Sequence, residues 1–212
     1  MDEKQVVQAL AARVLRELRH KACLVKLGVS NRHLHLCRAD MDVLFGAGSE
    51  LTCRNALGQP GQFAAEETVI LRGPKGQLAK VRVLGPLRAE TQVEISISDG
   101  YILGIEPPVR DSGNLQQSPG LTISGPAGEV YKEYGAIVAW RHIHLDTQTA
   151  ALLQVQDKQL LDVEVGQKRG AVLHQVLVRV SAQYLPEMHL DVDEANAVGV
   201  RNGDTATILL PE

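Results

Sequence analysis

Nine short β-rich runs, separated by Gly, Pro, Asn and Asp, are spread along this chain after residue 22. They are CLVKLGVS, FAAEETVILRG, AKVRVLG, TQVEISIS, LTISGP, GAIVAW, QLLDVEVG, AVLHQVLVRVS and TATILLP. Several alternate with period two, so one face of each can enter a core while the other meets solvent. Turn residues bound most of them. Strands this short and this numerous restrict the chain to a mostly β fold, barrel or sandwich. Its 212 residues suffice for one large domain or two small ones. Two Gly/Pro-rich loops stand out, at 46–62 and 104–120. The second, GIEPPVRDSGNLQQSPG, is long for a compact domain and reads as a functional loop. Its Ser112, Gly113, Ser118 and Gly120 are expected to offer amides to an anion.

Before these strands, residues 4–19, KQVVQALAARVLRELR, read as an amphipathic helix. Val7, Leu10, Val14 and Leu18 form one apolar stripe, and Lys4, Gln8, Arg13 and Glu17 lie opposite. Two readings stand: a helix packed on its own domain, or a tail that docks on a partner.

Composition excludes several function classes. Aromatics are only 3%, which argues against stacking platforms for single-stranded nucleic acid. A net charge of −3 with no long basic run does not suit a nucleic-acid backbone. No apolar run reaches the roughly 18 residues of a membrane span, and no signal-peptide order is seen. Cys23, Cys37 and Cys53 are odd in number and form no C-x-x-C pair, as in a reduced, cytoplasmic protein. Neither a P-loop nor a dinucleotide fingerprint is present.

The chemistry concentrates in SNRHLHL (30–36) and AWRHIHL (139–145). Residues i and i+2 of a strand share a face, so His33 and His35 can aim at one ion, as can His142 and His144. A third relative, MHLDVDEANA (188–197), supplies His189. HLDTQTA and HLDVDEA share H-L-D-x-x-x-A, with Asp146 and Asp191 placed as helix N-caps. This pattern points to a duplicated strand–histidine–helix unit. Five such histidines exceed one tetrahedral shell with an open position, so two divalent metals are inferred. Glu94, within an apolar alternating run, is the best carboxylate to complete one shell. His20 and His174 lack the pattern and read as a surface and a strand residue. Arg88, after a Gly-Pro turn, can bind phosphate in a bidentate way. Lys75 and Arg82 flank the same strand.

GVSNRHLHL, GPKGQLAKVRVLGPLRAETQVEIS, RDSGNLQQSPG, RHIHL and MHLDVDEANA together resemble the phosphate propanoyltransferases, the PduL-type phosphotransacylases, from about residue 25 onward. The resemblance implies two β-barrel domains capped by short α-helices, with a two-metal site between them. It places an amphipathic targeting helix at 1–20, one barrel at 22–31 plus 140–212, and another at 32–139. It implies that His33, His35 and Glu94 hold one zinc ion and His142, His144 and His189 a second. Arg88 would be the catalytic, phosphate-binding residue. Ser30, Asn31, Arg32, Lys75, Arg82 and Asn196 would lie around coenzyme A, with Lys80 competing for the role of Lys75. The segment SELTCRNALGQ and Cys37 depart from the family's usual pattern.

The implied reaction converts propanoyl-CoA or acetyl-CoA and phosphate to acyl phosphate and free coenzyme A, inside a bacterial microcompartment. Shell or cargo proteins would dock on residues 1–20, and a homo-oligomer stays open. No serine or cysteine nucleophile is required, although Cys37 keeps a covalent route in view. The rival readings are a zinc-dependent hydrolase and a non-catalytic, zinc-stabilised scaffold. Amidohydrolase barrels also use H-x-H, but they are helix-rich folds of about 250 residues. A cupin's H-x-H is usually followed closely by a glutamate, and HLHLCRAD has none.

Overall fold

The computed structural model describes residues 3–210. Helix α1 (Glu3–Ala22) leads into β1 (Leu24–Ser30) and the short β2 (His33–His35). Then come α2 (Arg38–Phe45), β3 (Cys53–Ala56), β4 (Phe63–Arg72), β5 (Gln77–Gly85) and β6 (Gln92–Glu94). Next follow α3 (Ile97–Leu103), β7 (Val109–Arg110), β8 (Leu121–Ser124), β9 (Glu129–Lys132) and β10 (Ala136–Ala139). The order closes with β11 (His142–Leu145), α4 (Thr147–Leu153), β12 (Leu160–Val165), β13 (Ala171–Val180), β14 (Glu187–Asp191), α5 (Val192–Val198) and β15 (Thr205–Leu209).

The fold is mostly β, as the alternation requires. Six strands close a barrel in the order β1-β14-β11-β13-β12-β15. The other nine form a sheet in the order β7-β10-β6-β2-β5-β4-β8-β9, with β3 added to β4, and it curls into a half-barrel. The chain divides into two compact units. One contains α1, β1 as far as Gly28, His142–His189 and the chain from Ala197. The other contains Val29–Arg141 and Leu190–Asn196. β1 reaches its antiparallel partner β15 across most of the sequence, pairing Val25 with Ala206.

Period-two burial builds the barrel interior. Val25 and Leu27 of β1, Leu161, Val163 and Val165 of β12, and Ala206 and Ile208 of β15 are all buried. In the second unit Leu34, Leu36, Met41, Leu44, Val69, Val81, Val83 and Val93 belong to one core. Each fully buried aliphatic side chain of this kind contributes roughly 1.5–3 kcal/mol. Leu34 and Ile143, both 0% exposed, lie between paired histidines. Anchoring each leucine or isoleucine in a core turns its two histidine neighbours to the opposite face.

Asp146 and Asp191 cap α4 and α5 as expected. Asp146 accepts from the amides of Gln148 and Thr149 at 2.9 and 2.8 Å, and Asp191 from Glu194 at 2.8 Å. TQVEISIS departs from its expected single strand. β6 ends at Glu94, and Ser96 opens α3 through a capping box with Asp99. The Ser96 hydroxyl accepts from the Asp99 amide at 3.2 Å, and the Asp99 carboxylate answers at 3.3 Å.

Helix α1 runs slightly beyond the expected 4–19. Arg19 Nε donates to the Leu152 carbonyl of α4 at 2.9 Å, near the C-terminal end of α1. Its apolar stripe faces solvent, with Val7 and Leu10 exposed by 60% and 61%. Among the described residues no helix is long and apolar enough to cross a membrane.

Candidate metal centres

The first cluster is His33, His35 and Glu94, whose ligand atoms lie within 4.8 Å of one another. β2 presents both histidines, and the antiparallel register sets Glu94 of β6 directly opposite His33. Glu94 Oε2 lies 3.4 Å from His33 Nε2, and Oε1 lies 4.0 Å from His35 Nε2. The His33 Nδ1–H donates to the Asn31 carbonyl at 2.8 Å, which fixes the ring with Nε2 toward Glu94. Two donors hold the carboxylate: the Gln92 amide and, at 3.1 Å, the Ser112 hydroxyl both reach Oε1. Oε2 is thereby left toward His33.

Charge follows from this packing. Burial alone would raise the Glu94 carboxyl, but the His33 charge and hydrogen bond hold it well below its usual range. Burial opposes a charged His33, yet Glu94 raises its pKa above the ordinary value. Burial, then the charges of His33 and Arg88, push His35 down to about 3. At neutral pH His35 is therefore a neutral imidazole, the form a metal binds.

The second cluster is His142, His144 and His189. β11 presents the pair, and His189 of β14 stands opposite His142 in antiparallel register. His142 Nε2 and His144 Nε2 are 3.1 Å apart. Burial, followed by the charges of His189 and Arg179, lowers His144 to about 3. Its buried Nδ1 has no hydrogen-bond partner among the described residues.

Both donor sets fit zinc. Imidazole and carboxylate are its ordinary ligands, with Zn–N distances of about 2.05 Å. A tetrahedron of that size has edges of roughly 3.3 Å, close to the Nε2–Nε2 separation seen here. Three protein ligands in each set leave room for a further group.

Arg88 is tied to the first cluster through the backbone, its amide donating to the Leu36 carbonyl at 2.9 Å. Arg88 and His35 line one cavity of about 260 Å³, together with Pro60, Gly61, Gln62, Gly85 and Pro86. That is slightly below the roughly 300 Å³ at which drug-sized sites begin.

The remaining expected residues are more scattered. Ser30 Oγ lies 3.3 Å from His33 Nδ1. Asn31 is exposed, and its Oδ1 accepts from the Arg32 amide. Arg32 pairs with Asp99 at 2.9 Å. Arg82 stands beside His33 in parallel register, but its guanidinium donates to the carbonyls of Ala65 and Glu66, both at 2.9 Å. Lys75 and Lys80 are exposed, as is Asn196. His20 is exposed, and His174 is an exposed β13 residue 2.9 Å from Asp162.

The expected anion loop is corrected in part. Ser118 is buried, donating to the Leu115 carbonyl and accepting from the Gly135 amide. A Cβ on Gly120 would sit 2.2 Å from the Lys132 carbonyl, so that glycine serves close backbone packing. Ser112 and Gly113 instead support the first cluster, with the Gly113 amide donating to Gln92 Oε1 at 2.7 Å. Gln92 and Glu187, which contact Glu94 and His189, went unread in the sequence. The signal was present: Q-V-E and E-M-H each put two ligand-type side chains on one strand face.

Comparison with known proteins agrees with these motifs. The model of the family described as phosphate propanoyltransferase matches residues 26–201. The phosphate propanoyltransferase of Rhodopseudomonas palustris (strain BisB18) is 59% identical over 184 residues, covering 87% of this chain and 81% of that protein. That of Rhodobacter capsulatus is 54% identical over 203 residues, covering 92% and 94%. That of Salmonella typhimurium is 46% identical over 201 residues, covering 94% of each.

Proposed function

The chain belongs to the phosphate propanoyltransferase family, and we propose that it moves a propanoyl or acetyl group between coenzyme A and phosphate using two zinc ions. The observation that carries this reading is the shared cavity of His35 and Arg88, a metal-ligand imidazole beside an anion-binding guanidinium. His33, His35 and Glu94 would hold one ion, and His142, His144 and His189 the other. Ser30, Asn31, Arg32, Lys75, Arg82 and Asn196 are assigned to coenzyme A.

In the forward reaction a phosphate oxygen attacks the thioester carbonyl. The new C–O bond gives the acyl phosphate, and the C–S bond breaks to release coenzyme A as a thiolate. An unperturbed thiol titrates near ~8.5, so this leaving group needs help at neutral pH. Bound zinc supplies Lewis acidity toward the sulfur and the carbonyl oxygen. Arg88 neutralises the incoming phosphate and aims it. Gln92 and Ser112 keep Glu94 turned toward His33, so the ligand set is held in advance of binding.

The deciding assay is thiol release from propanoyl-CoA, with and without phosphate and with and without a chelator. Release that requires phosphate and is abolished by chelation is expected. Release without phosphate would favour the hydrolase, and no release the scaffold.

The exposed apolar stripe of α1 supports docking on shell or cargo proteins of a bacterial microcompartment in the cytoplasm. Deleting residues 1–20 should leave turnover within about twofold, because this stripe lends nothing to a core. Co-sedimentation with shell protein should be lost. Loss of activity in the truncated enzyme would instead make the helix structural.

A further inference from the structure

Each H-x-H strand has one antiparallel and one parallel neighbour. Residues directly opposite in an antiparallel pair are close neighbours on one face. In the first cluster His33 faces Glu94 and His35 faces Gln92. In the second His142 faces His189 and His144 faces Glu187. Each cluster is therefore a square of four side chains, with Gln92 and Glu187 at equivalent corners.

The Gln92 corner holds the adjacent ligand, Glu94, by hydrogen bond. The Glu187 corner also touches its adjacent ligand, with Oε2 2.9 Å from His189 Nε2. Backbone packs against the same edge of this imidazole. A Cβ on Gly28 would sit 2.7 Å from His189 Cδ2 and 3.3 Å from Glu187 Oε1. The rings of His142 and His144 lie 5.0 and 4.9 Å from that of His189, centroid to centroid.

We propose that Glu187 is a positioning residue for the second ion. Its carboxylate accepts the Nε2–H of His189, which fixes the tautomer and leaves Nδ1 bare for the metal. With an ion bound, the pair would form a carboxylate–histidine–metal relay in which Glu187 orients a ligand without being one. This assignment rests on the two-metal reading above.

The test is metal binding, with no turnover needed. Purified full-length protein is stripped, then titrated with zinc against a chromophoric chelator. The wild type should take up two equivalents. Glu187→Ala should bind one equivalent as before and the other about 10–100-fold more weakly. Glu187→Gln keeps an acceptor oxygen and should fall between them, and it decides the matter if the alanine variant misfolds. Cobalt substitution should show a changed d–d spectrum for one of the two ions. A merely structural glutamate would lower the melting temperature of the stripped protein without this selective loss. Both variants binding two equivalents with wild-type affinity would overturn the assignment alone. A wild type without a second equivalent would overturn the two-metal reading as well.

Discussion

His35→Ala is expected to hold one zinc equivalent in place of two and to lose roughly a thousandfold in turnover, about 4 kcal/mol of transition-state stabilisation. The side chain is 2% exposed and held neutral by burial, so it enters the cluster as a ready donor. Its removal leaves His33 and Glu94, one short of the three protein ligands usual in catalytic zinc sites. It also opens the wall of the cavity that Arg88 lines. The fold should survive, because His33 and Glu94 remain mutually compensated and Leu34 keeps the strand anchored. Elemental analysis gives the zinc count, steady-state kinetics gives the activity, and melting of the stripped protein checks the fold. Two retained equivalents would remove His35 from the ligand set. Full turnover with one equivalent would remove the first ion from the chemistry.

The histidine pairs were legible because period two is a property of the strand alone. H-L-H and H-I-H need no knowledge of a partner to place two imidazoles on one face. The helix caps at Asp146 and Asp191 were legible for the same reason, since a cap acts within three residues. Pairing between strands was not. Q-V-E and E-M-H put Gln92 and Glu187 on a face with a ligand, but that they stand opposite His35 and His144 depends on a register set by distant segments. TQVEISIS shows two local signals in conflict. Its alternation favoured a strand, and the Ser96–Asp99 capping box prevailed beyond Glu94. For α1 the period identified the helix, but no pattern within it could tell a buried stripe from an exposed one. Ser118 misled because a serine beside Gly and Pro suits an anion loop and a tight structural turn equally well.

Arg88→Ala should raise the phosphate KM more than tenfold and lower kcat by about a hundredfold, together about 4 kcal/mol in kcat/KM. The KM for propanoyl-CoA and the zinc content should stay unchanged. The split follows from where Arg88 stands. Its amide is fixed to Leu36 at the end of the H-x-H strand, so its side chain projects beside the cluster without belonging to it. Its positive charge already lowers the pKa of His35 and of Glu94, a sign that its field reaches the ligand set. A phosphate in the cavity would meet that charge before reaching the thioester. The guanidinium therefore serves ground-state capture, read in KM, and alignment of the attacking oxygen, read in kcat. Arg88→Lys separates the two effects. A lysine restores charge but not the planar fork, so KM should recover more than kcat. Wild-type phosphate dependence in the alanine variant would show that the anion is bound elsewhere, and the shared cavity of His35 and Arg88 would lose its meaning as the reaction site.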